Sequence, residues 1–418
     1  MKKYILLFTL LCSSLFISSQ LYALPRFALM RGEANCLGCH VNPTGGQLRS
    51  GGGISYAIND LPMWRRGDSL KYTGQISDAV RLGGDFRSQV LAFSQKGPFA
   101  QNRADTTLSI LAFHAMSLAF NIDVQATNTL HGFFRYDPLN NLNSTEGWAM
   151  LHFVHSSGEI FQSTDAVTNA YVKIGSFLPA FGIRFDDHTT YIKGGNASLS
   201  GFSPDGFFWA PGYRDVGAEI GGLFFDHIGV TAGIFNGSES IGNSTFSQSN
   251  SKALCFRLNY AGEIIEDMLS GEIGGSYYMH GNDPNVSNAN LTLTGVHFSL
   301  RAGPVTTLNE FDFGSNIPVA RLPMAKAQAL CSETALRITK GLDILFRFET
   351  FKDENPAGVT NSEVKSRIMI GAQWFPLRFV EIRPEFRIAH VTAPDQIDAT
   401  LMDDITENTF LIQTHVFF

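Results

Sequence analysis

The chain has no long apolar run beyond its first residues. After position 23 no stretch of its 418 residues approaches the about 18 unbroken apolar positions that a membrane-crossing helix requires. Charge is scarce, at 17% of residues, and there are only five cysteines. So few cysteines exclude a disulfide-built scaffold. The charges divide into 31 basic and 38 acidic, a net of −7, which gives nothing to favour nucleic acid. Phenylalanine (35) and glycine (40) are plentiful instead, while the mean hydropathy stays near zero. A transmembrane β-strand needs only about 9–11 residues with apolar side chains at alternate positions, so a membrane barrel keeps just such a modest average.

The first 23 residues read as an export signal. Lys2 and Lys3 form the charged start, Ile5 to Ile17 the apolar stretch, and Leu21-Tyr22-Ala23 the cleavage site. Cys12 lies too deep in that run for a lipoprotein signal and leaves with it. Residues 24–75 differ in character from the rest of the chain: they hold a cysteine pair and a glycine-rich stretch, with little alternation. From residue 76 to 418 the period is two.

In the first clear strand Val80, Leu82, Gly84, Phe86, Ser88 and Val90 alternate with Arg81, Gly83, Asp85, Arg87 and Gln89. Leu118 to Gln125 and Leu342 to Glu349 repeat the dyad. The sharpest case sets Val380, Ile382, Phe386 and Ile388 opposite Glu381, Arg383, Glu385 and Arg387, where four charges on one face require water on that face. Pro384 removes a ladder donor there and predicts a bulge or a rim position. Short links at 225–227 and 376–378 alternate with polar stretches at 236–250, 281–290 and 353–363, the asymmetry of periplasmic turns and outer loops. The expected fold is all-β: a transmembrane antiparallel barrel of about sixteen strands in the bacterial outer membrane, in contact with its lipid. The chain closes on alternating residues up to Phe417 and Phe418, like the terminal signal strand of outer-membrane proteins. A soluble sheet is the rival, since alternation alone cannot tell lipid from a protein core.

Cys36-Leu37-Gly38-Cys39-His40 is the C-x-x-C-H attachment motif for one covalent haem c. Two thiols at this spacing reach the two vinyl groups of one haem, and the adjoining imidazole reaches the iron. A zinc knuckle would want two further ligands at similar spacing, and a redox pair would want a βαβ fold; neither is present. The segment over 24–75 is too short to bury a haem alone, which predicts a plug that takes its apolar cover from the barrel. Asn42-Pro43-Thr44-Gly45-Gly46 predicts a turn with positive-φ positions. Met63, on the loop stiffened by Pro62, is the candidate sixth ligand, with Met30 behind it; Met/His ligation raises the potential.

Asp186, Asp187 and His188 lie just beyond a good strand and could hold a divalent cation such as ferrous iron; a charged constriction is the blander reading. Cys255 and Cys331 fall on the polar phase of their strands, either as a lumenal disulfide or as two buried thiols.

Signal, one Cys36/Cys39/His40 motif, short plug and barrel together resemble the fused monohaem cytochrome-porins of the outer membrane, a group that includes iron-oxidising members. The resemblance implies electron entry from an extracellular donor and exit to a periplasmic carrier. The strand and turn from Phe177 to His188 also resemble those of anion-selective porins. Three functions compete at this point: an electron conduit, a solute- or anion-selective porin with a haem-bearing plug, and a surface haem enzyme.

Overall fold

The computed structural model describes residues 25–30, 36–64, 72–98, 105–139, 145–156, 158–185, 187, 189–194, 206–207, 213–237, 251–266, 268–281, 290–319, 322–354, 363–394 and 402–418. Two of its strands are short, β1 (Gln75–Ser77) and β6 (Phe161–Gln162). The other sixteen build the wall: β2 (Val80–Pro98), β3 (Asp105–Gln125), β4 (Leu130–Tyr136), β5 (Glu146–His155), β7 (Val167–Phe177), β8 (Asp215–Phe224), β9 (Ile228–Phe235), β10 (Ala253–Ile265), β11 (Leu269–His280), β12 (Leu291–Ala302), β13 (Val305–Val319), β14 (Leu322–Thr339), β15 (Leu342–Glu354), β16 (Glu363–Trp374), β17 (Val380–Pro394) and β18 (Met402–Phe417). Each of the sixteen is antiparallel to its neighbours, and β18 pairs with β2, so the sheet closes and has no open edge.

The side chains are arranged inside-out. On β17 Glu381, Arg383, Glu385 and Arg387 are buried, while Phe386 is 42% and Ile388 36% exposed. The same inversion holds on β3, where Asn121 and Asp123 point in and Phe120, Ile122 and Val124 point out, and on β15 around Arg347. A protein dissolved in water would expose the charges and bury the rings. An exterior facing hydrocarbon removes the cost of the exposed Phe113, Ile174, Phe298, Ile370 and Phe410, and the buried charges find partners across the interior. Among the described residues no helix is long and apolar enough to cross a membrane. The strands do so.

One end of the barrel carries the short connections, 225–227, 303–304, 340–341 and 375–379; the other carries 178–214, 236–252, 281–290 and 355–362. The asymmetry expected from the sequence is therefore present. Of the two outcomes expected for Pro384 there is no bulge, and the residue lies toward the short-connection end of β17. The β16–β17 ladder omits two pairs between Gly371↔Glu385 and Trp374↔Ile382 and resumes in the same register. The missing donor is absorbed as a local gap near the short-connection end. At that end the Phe418 amide donates to the Gly84 carbonyl at 3.0 Å, the Phe418 carbonyl accepts from the Gly84 amide at 3.0 Å, and the Phe418 ring packs on Phe86 and Tyr72.

Candidate functional site

The N-terminal segment lies within the lumen. The single turn α1 (Pro25–Leu29) buries Phe27 and Leu29 and packs on β11, β12 and β13. Arg26 donates to the Gln373 side chain at 2.8 Å and stands 3.7 Å from Glu333. Arg301 donates to the Met30 carbonyl at 2.6 Å, and the Ser270 hydroxyl donates to the Leu29 carbonyl. Phe27 also joins Tyr56, Ala57, Leu61, Phe375 and Phe417 in one apolar cluster, with Met30 against it. These contacts supply cover that about fifty residues cannot make for themselves.

The Cys36–His40 segment forms one helical turn, in which the Cys39 and His40 amides donate to the Cys36 carbonyl at 3.2 and 2.9 Å. That turn gathers two thiols and an imidazole at one place. Ser50 fastens it to the helix α2 (Gly51–Asn59). Its amide donates to the Cys39 carbonyl at 2.8 Å, its hydroxyl donates to the Gly38 carbonyl at 2.7 Å, and the same oxygen accepts the Gly53 amide as the helix N-cap. Gly53 has no side chain because a Cβ there would overlap the Cys39 carbonyl. The turn after His40 has φ values of +85° at Gly45 and +76° at Gly46, as its composition predicted, and a Cβ on Gly45 would fall 2.8 Å from the Cys36 sulfur.

The donor set fits a c-type haem. Cys36 and Cys39 are not joined in a disulfide, Ala28 packs against the pair, and His40 is buried beside them. The turn beyond them reaches the wall, where Lys173 of β7 donates to Asn42 at 3.1 Å while pairing with Glu219 of β8 at 2.7 Å. Gln47 donates to Glu146, at the long-connection end of β5. Met63 and Trp64 donate their amides to Phe375 at 2.8 Å and Pro376 at 3.2 Å, at the opposite end. The plug therefore runs along the lumen, and its cysteine turn is enclosed by the wall. Met63 is held beyond the far end of α2 from Cys39, half-buried, whereas Met30 lies two residues from Ala28.

A second insert comes from the β7–β8 connection. The Gly182 amide donates to Ser276 at 3.0 Å, the Ile183 amide to Glu310 at 2.6 Å and the Tyr191 amide to Glu349 at 3.0 Å. Arg184 of this insert donates to the Thr44 carbonyl at 3.4 Å, joining insert to plug. Burial pushes the Arg184 guanidinium below its ordinary value, while the nearby Glu146 carboxylate pulls it back up.

Of the three residues singled out for a cation, Asp186 and His188 lie outside the described residues. Asp187 is described, and its Oδ2 accepts from Arg347 and from Arg387 at 3.0 Å, with Thr189 bonded to its other oxygen at 2.9 Å through the amide. Through Arg347 this carboxylate belongs to a lumenal ion-pair network with Glu333, Glu349 and Glu385. Among the described residues no group of three His, Cys, Asp or Glu side chains has metal-holding geometry. Cys255 and Cys331 do face inward, and both are buried free thiols; Cys255 donates to the Ala180 carbonyl at 3.1 Å. The lumenal disulfide is thus replaced by two separate thiols.

Solved structures with this wall are outer-membrane proteins. The OprB structure of Pseudomonas putida shares 11% identity over 86% of this chain and 100% of its own, with a TM-score of 0.52. The fold is that of an outer-membrane porin. The channel DcaP of Acinetobacter baumannii shares 11% identity over 81% of this chain and 97% of its own, with a TM-score of 0.50. No protein-family model and no curated protein matches the chain.

Proposed function

We propose that the chain is a solute porin of the outer membrane whose lumen is gated by a haem-bearing plug. One observation carries the reading: a porin wall lined by ionised side chains encloses the N-terminal segment, which is held there by hydrogen bonds and ion pairs, as at Arg26, Arg301 and Lys173. Such contacts are individually worth about 1–3 kcal/mol, so a plug held by a few of them can shift without unfolding the barrel. Cys36 and Cys39 would hold a haem c through two thioether bonds and His40 would supply an imidazole to its iron; Met63 would have to leave its place at the far end of α2 to serve as a second ligand, whereas Met30 lies two residues from Ala28, which packs on the cysteines. When bound, the haem supplies one-electron chemistry. The Ser50 clamp fixes the turn, and Ala28 of α1 packs against its cysteines.

A second reading is an electron conduit between an extracellular donor, such as ferrous iron, and a periplasmic carrier. The position of the Cys36–His40 turn within the wall supports it, since a haem hung below the barrel would leave the apolar band of about 25 Å uncrossed.

One set of measurements separates the two. The purified protein is placed in planar bilayers for ion conductance, and in vesicles holding an oxidised dye with a membrane-impermeant reductant outside. Conductance that rises in Lys173→Met, with dye reduction equal in wild type and Cys36→Ser, is the porin result. Dye reduction that disappears in Cys36→Ser, with negligible conductance, is the conduit result. Acid-acetone extraction that strips the haem would end both readings. In the same preparations a haem spectrum that shifts in Met63→Ala, with the iron opened to carbon monoxide, assigns the second ligand to Met63; an unchanged spectrum moves the ligand assignment to Met30 or a histidine.

A further inference from the structure

A cleft of about 470 Å³ opens at the short-connection end, between α2 of the plug and the barrel wall. It lies apart from the cysteine turn: Gly53 faces Cys39, while Gly51, Ile54 and Ile58 of the same helix line the cleft. Two arginines line it, Arg81 from β2 and Arg378 from the 375–379 connection, and no acidic side chain is among its described lining residues. The Arg378 Nε is shielded from solvent with no hydrogen-bond partner among the described residues. A buried N–H without a partner costs about 1–3 kcal/mol unless something accepts from it. Lys340 adds a third cation at the rim, donating to the Asn59 carbonyl at 2.6 Å. The first turn of the nine-residue α2 also opens here, and among the described residues nothing stands within 4 Å of where a Gly51 Cβ would be.

We propose that this cleft binds a small organic anion, with a carboxylate or phosphate held between Arg81 and Arg378 and an apolar body against Ile54 and Ile58. The volume suits a ligand of that size, within the about 300–1,000 Å³ usual for such sites. Because one wall is plug and the other barrel, the ligand bridges the two. Its binding stabilises the docked plug by mass action. The site does not depend on haem attachment or on either reading of the lumen.

The test is calorimetric titration of the purified full chain in non-ionic detergent at low salt, with succinate, inorganic phosphate and, as a cationic control, putrescine. One-to-one binding of succinate or phosphate is expected, and which of the two binds tighter tells carboxylate from phosphate ligands. Putrescine is expected not to bind. The Arg81→Gln/Arg378→Gln double variant should weaken the preferred anion by about tenfold or more, since two charge-assisted bonds are lost. The matching double lysine variant should recover part of the affinity. Heat-modifiable migration in detergent gels verifies that each variant is folded. No binding of either anion at millimolar concentration, or equal affinity in wild type and the double glutamine variant, overturns the proposal.

Discussion

Ser50 and Gly53 together decide whether the cysteine turn stays in place, one by three hydrogen bonds and the other by having no side chain. Gly53→Ala should therefore loosen the plug and spare the wall. The added methyl meets backbone, which cannot rotate away, so a cost of about 1–3 kcal/mol is expected. It should appear as faster proteolysis within residues 25–64 and a lower haem-to-protein ratio, with the barrel's thermal transition unmoved; equal proteolysis would refute the close contact. At this scale the sequence was readable where chemistry is local. The Cys36–His40 turn and the positive φ at Gly45 and Gly46 arise from neighbouring residues. Asp187 does not, because its partners Arg347 and Arg387 are 160 and 200 positions away and no local pattern joins them.

Within β15 and β17, opposite errors should be costly on opposite faces. Arg347, fully buried, touches Asp187, Glu333, Glu349 and Glu385. Arg347→Met leaves four carboxylates short of a cation and should destabilise by about 3–5 kcal/mol, whereas Phe386→Arg on the lipid side should cost about 2–4 kcal/mol if it lies near the bilayer midplane. Refolding into lipid vesicles across a urea series measures both; a Phe386→Arg barrel as stable as wild type would mean that this face is not in hydrocarbon. The spanning strands were legible because a lipid exterior and a wet interior impose period two. The two helices were not. One turn and nine residues are too few to show a 3.6-residue period, and α2 depends on packing against the Cys39 turn.

For the whole molecule, about sixteen strands were expected and sixteen close the wall. Placement of the two inserts was the less readable part, since it depends on contacts between segments far apart in sequence. Phe418 illustrates the long range involved, binding Gly84 through two backbone hydrogen bonds. Deleting Phe417 and Phe418 removes those bonds and the rings on Phe375, Phe379 and Tyr72. Outer-membrane levels of folded, heat-modifiable protein should fall several-fold; unchanged levels would show that closure does not need the terminal aromatics.

The pairing of β18 with β2 also fixes an order of events. The ring is a clasp whose two halves are the first and the last strands of the wall, while the plug precedes both in the chain. A segment gripped from several sides by β7, β11, β12 and β16 has the most room to enter before the clasp shuts.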